Sequence, residues 1–314
     1  MSKLAIIGGA GGLGSTMAFF LGLKNRFDHI SLIGRRLNML ETHLIDLREC
    51  FGEETSTTVS GGGFGELDGA DLVIMAGASL IGSVTSRDEY LRANLELVRL
   101  TAREIGERAP GATLVSCTSP VDAFAMVYFR ELGWDRHRLL GFCRNDSQRF
   151  RHMAARVLGL NPADVGGLVL GEHGETQVPL FSTLTHEGRP LPVNEAQKAE
   201  ILALLKSWYR HWQDQDSKRT TTWTSATGMW RTLTALGLVP GASPGGEFAR
   251  EGEPAMGSVM VEGEYGLRGV ALGLPLTPGP LGWGRVIELD LWPGELEALR
   301  ASAGKVMSLY ALCA

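Results

Sequence analysis

Two side chains in the middle of the chain have the chemistry of an acid/base pair. Asp146 begins a helical segment, and His173 follows the apolar stretch after that segment, so a helix can run out and a strand can return between them. A carboxylate held against an imidazole fixes its tautomer and stabilises its charged form, which leaves the other ring nitrogen to exchange a proton with a substrate oxygen. Asp146 and His173 are therefore predicted to meet.

Arg149 adds an anion-binding group to this pair. It lies three positions after Asp146, so both side chains share one face of a helix. Its planar guanidinium can hold a carboxylate through two parallel hydrogen bonds. The three residues thus predict a proton-transfer pair beside a carboxylate clamp, and the alternative is a buried ion pair next to an arginine on a helix surface.

A glycine-rich turn near the start of the chain predicts the second half of the site. The apolar residues 4–7 are followed by Gly8, Gly11 and Gly14, and then by a helical segment. In such a strand, turn and helix, backbone N–H groups and the helix N-terminus can approach a pyrophosphate. We therefore expect a dinucleotide to bind here.

The end of the second predicted strand indicates which dinucleotide this is. An acidic side chain commonly binds the adenosine ribose at this position, but the chain has Gly34 followed by Arg35 and Arg36. Loss of the carboxylate opens space, and guanidinium groups can bind a 2′-phosphate. The pattern favours NADP(H) over NAD(H), and the alternative is that the two arginines are solvated surface charges.

Composition limits the class of protein. With 314 residues, 44% hydrophobic and 21% charged, the chain is long enough for one large two-layered unit or for two domains that share a cleft. A net charge of −5 argues against nucleic acid or an anionic membrane as the main partner. The four cysteines and seven histidines lack metal-ligand spacing, so no metal is predicted. With neither a targeting segment nor a bilayer-length apolar run, we expect a soluble cytoplasmic protein.

The motifs together resemble one enzyme family. Asp-x-x-Arg at 146–149 and Gly-Glu-His-Gly at 171–174 are similar to the lactate/malate dehydrogenase family, and the likeness extends from the first strand to the last helix. It implies an α/β fold, with a Rossmann-type doubly wound parallel sheet over 1–145 followed by an α+β substrate domain over 146–314. It also implies an oxidoreductase that moves a hydride between NADP(H) or NAD(H) and a 2-hydroxy or 2-oxo acid.

The resemblance also implies a role for each site residue and a homodimer or homotetramer. His173 exchanges the hydroxyl proton, Asp146 orients it, and Arg149 grips the substrate carboxylate. Arg87, which follows a polar loop that resembles the family's lid, polarises the substrate carbonyl. The remaining expected contacts are Ser119 and Ser225 to substrate, and Asn94 and Thr118 to cofactor.

Two departures from the family pattern leave other functions open. Ser119 replaces the asparagine of Thr-Asn-Pro-Val, and Leu80 and Ile81 lie where malate enzymes carry a second arginine. One alternative is a specialised 2-oxo acid reductase with an unusual side-chain pocket, and another is a non-catalytic NADP-binding redox sensor. Trp208 and Trp212, on a long helix predicted over 194–218, are expected in the core or a subunit interface.

Overall fold

The computed structural model describes residues 1–78, 87–215, 220–241 and 253–313, except for the side chains of residues 87–90, 209 and 213. Within these ranges the chain forms one mixed β-sheet flanked by α-helices. The strands are β1 Lys3–Ile7, β2 His29–Ile33, β3 Thr58–Gly62, β4 Leu72–Met75, β5 Thr113–Ser116, β6 Leu139–Gly141, β7 Val165–Gly171, β8 Gln177–His186, β9 Arg189–Pro190, β10 Ala255–Glu262, β11 Arg268–Gly279 and β12 Gly282–Val286. The helices are α1 Gly12–Leu23, α2 Leu37–Glu54, α3 Arg87–Arg108, α4 Val121–Leu132, α5 Arg144–Leu158, α6 Glu195–Asp214, α7 Trp223–Ala235 and α8 Pro293–Ala311.

The first half of the chain forms the parallel part of the sheet, in the order β3-β2-β1-β4-β5-β6. All four residues of β4, and four of the five in β1, are buried. Consecutive buried residues are typical of parallel strands that helices cover on both faces. From β1 the chain runs outward to β3 and then crosses back to β4, so the carboxyl ends of β1 and β4 flank a crevice.

The second half continues the same sheet with antiparallel strands. β10 pairs with β6 where Ser258 lies opposite Gly141, and β11 pairs with both β10 and β7. β7, β8 and β9 complete the far edge. A separate apolar cluster around Phe150 packs α5 and α6 against β7 and β8. These contacts fix α5, which carries Asp146 and Arg149, at the end of the parallel half.

The predicted fold class, a Rossmann-type α/β first half followed by an α+β unit, is confirmed. Two local features differ from what the sequence predicted. β3 was missed because its threonine, serine and glycine residues form no apolar run, and pairing with β2 makes it a strand. The first helix begins at Gly12 and includes the last glycine of the turn.

Candidate active site

Asp146 and His173 are in direct contact, as their order in the sequence predicted. Asp146 lies in the first turn of α5, and His173 follows the end of β7. The distance between His173 Nδ1 and Asp146 Oδ2 is 2.5 Å, and the two side chains are 23% and 7% exposed. Since Nδ1 is engaged by the carboxylate, Nε2 is the nitrogen left for a substrate.

The charge of Asp146 controls the proton affinity of this imidazole. Burial lowers the pKa of His173, but the negative charge and hydrogen bond of Asp146 outweigh burial, so the pKa lies above its ordinary value. A raised pKa keeps the ring protonated over more of the neutral range. The pair can therefore supply a proton to an oxygen that becomes negative during reaction.

The backbone around His173 is held by contacts that the local sequence dictates. Gly171 has a φ of +87°, a conformation that glycine adopts without strain, and it ends β7. The next residue, Glu172, turns into the protein, where its carboxylate accepts hydrogen bonds from the N–H and hydroxyl of Thr176. The chain thus reverses sharply and directs His173 towards α5.

Asp122 is a buried carboxylate beside this loop that the sequence did not single out. Its Oδ2 accepts a hydrogen bond from the backbone N–H of His173 at 2.7 Å, and its Oδ1 accepts one from Ser258 Oγ at 2.6 Å. Burial raises the pKa of Asp122 to about 6, against the opposing hydrogen bond from Ser258. The signal in the sequence was an acid directly after Pro-Val at a helix start, but no local pattern points to His173.

Arg149 is placed as predicted, on the face of α5 that carries Asp146. Its Nη1 donates to Asp146 Oδ1 at 3.1 Å, and its side chain is 21% exposed. The guanidinium carbon lies 4.0 Å from the centre of the Trp208 ring. Burial lowers the pKa of Arg149, and the charge of Asp146 opposes part of that fall. Trp208, which was predicted in the core or a subunit interface, is half-buried here.

A buried ion triad fixes the opposite side of α5. Glu253, which precedes β10, accepts two hydrogen bonds of 3.0 Å from Arg144 and one of 2.7 Å from Arg151. Burial lowers the pKa of Arg144 to about 10, although Glu253 opposes that fall. Removing one member of such a group leaves a buried charge without its partner. The triad therefore holds α5, and with it Asp146 and Arg149, against the second half of the sheet.

The predicted glycine turn lies in the crevice between β1 and β4. Gly8 has a φ of +89°, and a Cβ there would be 2.5 Å from the backbone nitrogen of Gly77. A Cβ on Gly14 would be 2.4 Å from the carbonyl oxygen of Gly8. Gly11 is the N-cap of α1 and provides no side-chain hydrogen bond to its first turn. The N–H groups of that turn therefore suit the pyrophosphate of a dinucleotide.

The two arginines after β2 differ in their contacts. Gly34 follows β2, and its N–H donates to the carbonyl of Gly62. Arg36 Nη2 donates to the carbonyl oxygen of Ala10 at 3.1 Å, so this side chain supports the glycine turn. Arg35 is exposed, and within the described ranges its guanidinium makes no hydrogen bond or ion pair. Arg35 is thus the better placed of the two to bind a phosphate.

The remaining predicted residues occupy different environments. Thr118 follows β5 and donates to the carbonyl oxygen of Gly77 at 2.7 Å, which joins the ends of two strands at the crevice. Ser119 is exposed, and Asn94 is fully buried in α3. Ser225 is buried, with its hydroxyl 2.9 Å from Asn145 Nδ2 and 3.0 Å from the carbonyl oxygen of Thr221. Of these four, only Ser119 has a readily accessible side chain.

Part of the predicted lid lies outside the described residues. This applies to Leu80 and Ile81, and to the side chain of Arg87, although α3 begins at that residue. In the part of the chain that is described, no helix is long and apolar enough to cross a bilayer.

Within the residues that the structure describes, one group of metal-ligand residue types lies close together, although its spacing in the sequence is not that of a metal site. Potential ligand atoms of Asp164, His186 and Glu187 lie within 4.8 Å of one another on the surface. The β7–β8 pairing brings His186 close to Asp164. Two of the three residues are exposed, and exposed acidic groups commonly lie together without an ion.

Comparisons with known proteins agree on one family. The NAD binding domain of lactate/malate dehydrogenase matches residues 2–141, and the alpha/beta C-terminal domain of the same family matches residues 144–207. Malate dehydrogenase of Halobacterium salinarum is 27% identical over 99% of each chain, and that of Trichormus variabilis is 30% identical over 98% of this chain and 92% of its own. The lactate dehydrogenase of Cryptosporidium parvum, solved with lactic acid and nicotinamide adenine dinucleotide, has the same fold at 24% identity, with a TM-score of 0.86 over 99% of this chain and 98% of that one. The chain described here belongs to the lactate/malate dehydrogenase family.

Proposed function

We propose that the protein is a 2-hydroxy acid dehydrogenase that uses NADP(H) or NAD(H). The observation that carries the proposal is the contact of Asp146 with both His173 and Arg149, at 2.5 and 3.1 Å. The side chain of Asp146 thus holds both a proton donor, His173, and an arginine that can bind the carboxylate of a substrate, Arg149. Malate and lactate are the substrates named for its relatives, and a related 2-oxo acid with an unusual side chain is the second candidate.

The proposed roles follow from the atoms that are left available. In reduction, His173 Nε2 gives its proton to the C2 oxygen of the 2-oxo acid, and in oxidation it takes the hydroxyl proton. Asp146 holds the ring in the required tautomer and stabilises the imidazolium. Arg149 binds the C1 carboxylate, and Arg87 polarises the carbonyl. A bound nicotinamide supplies the hydride to C2 or receives it.

The substrate side chain is the point at which this chain departs from its relatives. We propose that Ser119 and Ser225 line the pocket for this side chain. A serine hydroxyl is shorter than an asparagine amide and offers one donor instead of two. The exposure of Ser119 favours a bulkier substrate or a bridging water at that position. Leu80 and Ile81 cannot pair a second carboxylate, which favours a monocarboxylic 2-oxo acid over oxaloacetate.

The proposed reaction is tested by a substrate panel. NADPH and NADH oxidation is followed with pyruvate, oxaloacetate, and branched or functionalised 2-oxo acids. We expect turnover with at least one of them, and monocarboxylic acids to be preferred over oxaloacetate. Tight NADPH binding without turnover of any member would contradict the enzyme and favour the redox sensor.

We propose that the cofactor is bound by Gly8, Gly11, Gly14 and Thr118, with Gly34, Arg35 and Arg36 at the adenosine end and a preference for NADP(H). Asn94 was also predicted to bind it, but its full burial does not favour that role. The NAD binding domain match supports a nicotinamide dinucleotide in general. The absence of an acid at Gly34 and the exposed guanidinium of Arg35 support a 2′-phosphate. Arg36 contributes by holding the turn at Ala10.

Substitution of Arg35 by glutamine tests this preference. We expect Arg35→Gln to raise the Kd of NADPH about 10- to 100-fold and to change the Kd of NADH little, because one charge-assisted contact to phosphate is lost. Arg36→Gln is the matched control, and it should affect both cofactors alike through the glycine turn. Titration of dihydronicotinamide fluorescence gives all four constants. Equal weakening of NADPH and NADH by Arg35→Gln would contradict the preference.

We further propose a cytoplasmic homodimer or homotetramer whose chain divides near residues 145 and 146. Four free cysteines suit a reducing compartment.

Phe19 and Trp223 are exposed beside a cavity of about 360 Å³ between α1, α2 and α7. An apolar surface of this kind suits a second copy of the chain.

A further inference from the structure

The indole of Trp208 lies directly against the proposed carboxylate clamp. The carbon at the centre of the Arg149 guanidinium is 4.0 Å from the centre of the Trp208 ring, which is the geometry of a cation–π contact. Trp208 belongs to α6 and Arg149 to α5, so the contact joins two helices. The Trp212 ring stacks on Trp208, with centroids 5.5 Å apart and planes 23° apart. The clamp arginine is therefore backed by two aromatic rings in succession.

The surroundings of Arg149 leave a restricted part of its guanidinium for a ligand. Nη1 donates to Asp146, and the central carbon of the guanidinium lies over the indole ring, 4.0 Å from its centre. A carboxylate bound by two parallel hydrogen bonds must approach the edge of a guanidinium, in its plane. Trp208 does not compete for that edge, and it limits rotation of the plane. The substrate thus meets donors that are already oriented.

The indole also changes the medium around the charge. An aromatic ring against the guanidinium excludes water from that side, and a charge-assisted hydrogen bond is stronger where water is excluded. The largest influence on the pKa of Arg149 is burial, which agrees with a partly dehydrated guanidinium. Orientation and dehydration both strengthen the hold on a carboxylate without contact between the indole and the reacting carbon.

We propose that Trp208 is a positioning residue that sets the affinity of this enzyme for the carboxylate of its 2-oxo acid substrate by fixing the guanidinium plane of Arg149. The inference rests on the proposed function of Arg149 as the clamp. It assigns to Trp208 an effect on substrate binding, through Arg149, and none on the proton transfer by His173.

Substitutions at Trp208 separate the aromatic face from simple space filling. Trp208→Met keeps an apolar side chain but removes the π face, and Trp208→Phe keeps a smaller π face. With the best 2-oxo acid of the panel, we expect Trp208→Met to raise KM roughly five- to thirty-fold, with kcat changed less than about threefold. Trp208→Phe should recover most of the affinity. The Kd of the reduced cofactor should stay unchanged in both variants.

Trp212→Met is the matched control because it removes an indole from the same helix but leaves the ring that touches Arg149. Its KM should rise less than that of Trp208→Met. An unchanged KM in Trp208→Met, an equal rise in Trp212→Met, or a fall in kcat alone would overturn the inference. These results would leave the proposed function intact. Failure of the wild-type protein to reduce any 2-oxo acid would instead overturn the proposed function, so the two failures are distinguishable.

Fluorinated tryptophan provides a test that does not depend on the folding of Trp208→Met. Fluorine weakens the negative face of the indole with little change in shape, so KM should rise stepwise with the number of fluorine atoms. The same labelling in a Trp208→Phe background should leave KM flat. Equal dependence in both backgrounds would count against Trp208.

Discussion

Asp146→Asn is expected to lower kcat/KM for 2-oxo acid reduction about 10²- to 10⁴-fold, the range that a positioned acid/base pair contributes. The amide can still approach His173, but it cannot stabilise the imidazolium, and it can hold the wrong tautomer. Cofactor binding should remain close to that of the wild type, because the side chain of Asp146 bonds to His173 and Arg149 and, within the described residues, not to the glycine turn. Stopped-flow measurement of hydride transfer, together with a cofactor titration, separates the two effects.

The pH dependence of the reduction rate should shift in a defined direction in Asp146→Asn. Reduction requires His173 to be protonated, and Asp146 is what raises the pKa of His173 against the effect of burial. In Asp146→Asn that pKa falls, so the loss of reduction rate with rising pH should begin at a lower pH than in the wild type. An alkaline limb that does not move would mean that another group supplies the proton.

A double variant tests whether the pair acts as one unit. His173→Asn and Asp146→Asn should each cause a large loss, and the combined variant should be little worse than His173→Asn alone. Additive losses would show that Asp146 acts on the reaction independently of His173.

Arg149→Lys should mainly raise KM for the 2-oxo acid, by about 10- to 100-fold, with a smaller effect on kcat. Lysine keeps the positive charge but loses the planar fork, so one of two charge-assisted hydrogen bonds to the carboxylate disappears. It also loses the guanidinium whose central carbon lies 4.0 Å from the centre of the Trp208 ring. Steady-state kinetics at saturating cofactor give both parameters.

Arg156→Lys is a matched control for this change, because Arg156 is an exposed arginine in the last turn of the same helix. Its kinetic constants should equal those of the wild type. A wild-type KM in Arg149→Lys would exclude Arg149 as the clamp, whereas a loss of cofactor affinity would indicate a wider disturbance of α5.

The parts of the site that could be predicted from the sequence are those whose residues lie close together in the chain. Asp146 and Arg149 share a helix turn, and Gly8 and Gly14 occur in a strand, turn and helix, so each motif defines its own geometry. His173 could be joined to them because its flanking glycines resemble a known family motif.

The parts that escaped prediction depend on contacts between distant segments. Asp122 accepts a hydrogen bond from the backbone of His173, and Glu253 pairs with arginines of α5. Neither acid lies in a local sequence motif that predicts its partner. Trp208 looked like one more apolar position of an amphipathic helix. Only the packing of α6 on α5 brings its ring to Arg149.

Because β6 pairs with β10, neither half of this chain is suited to being replaced separately. Gly141 lies opposite Ser258 at that join, and Ser258 binds the same carboxylate that holds the backbone of His173. A fragment that ends at residue 145 would lack β10 and leave the edge of β6 unpaired. Unpaired strand edges promote self-association.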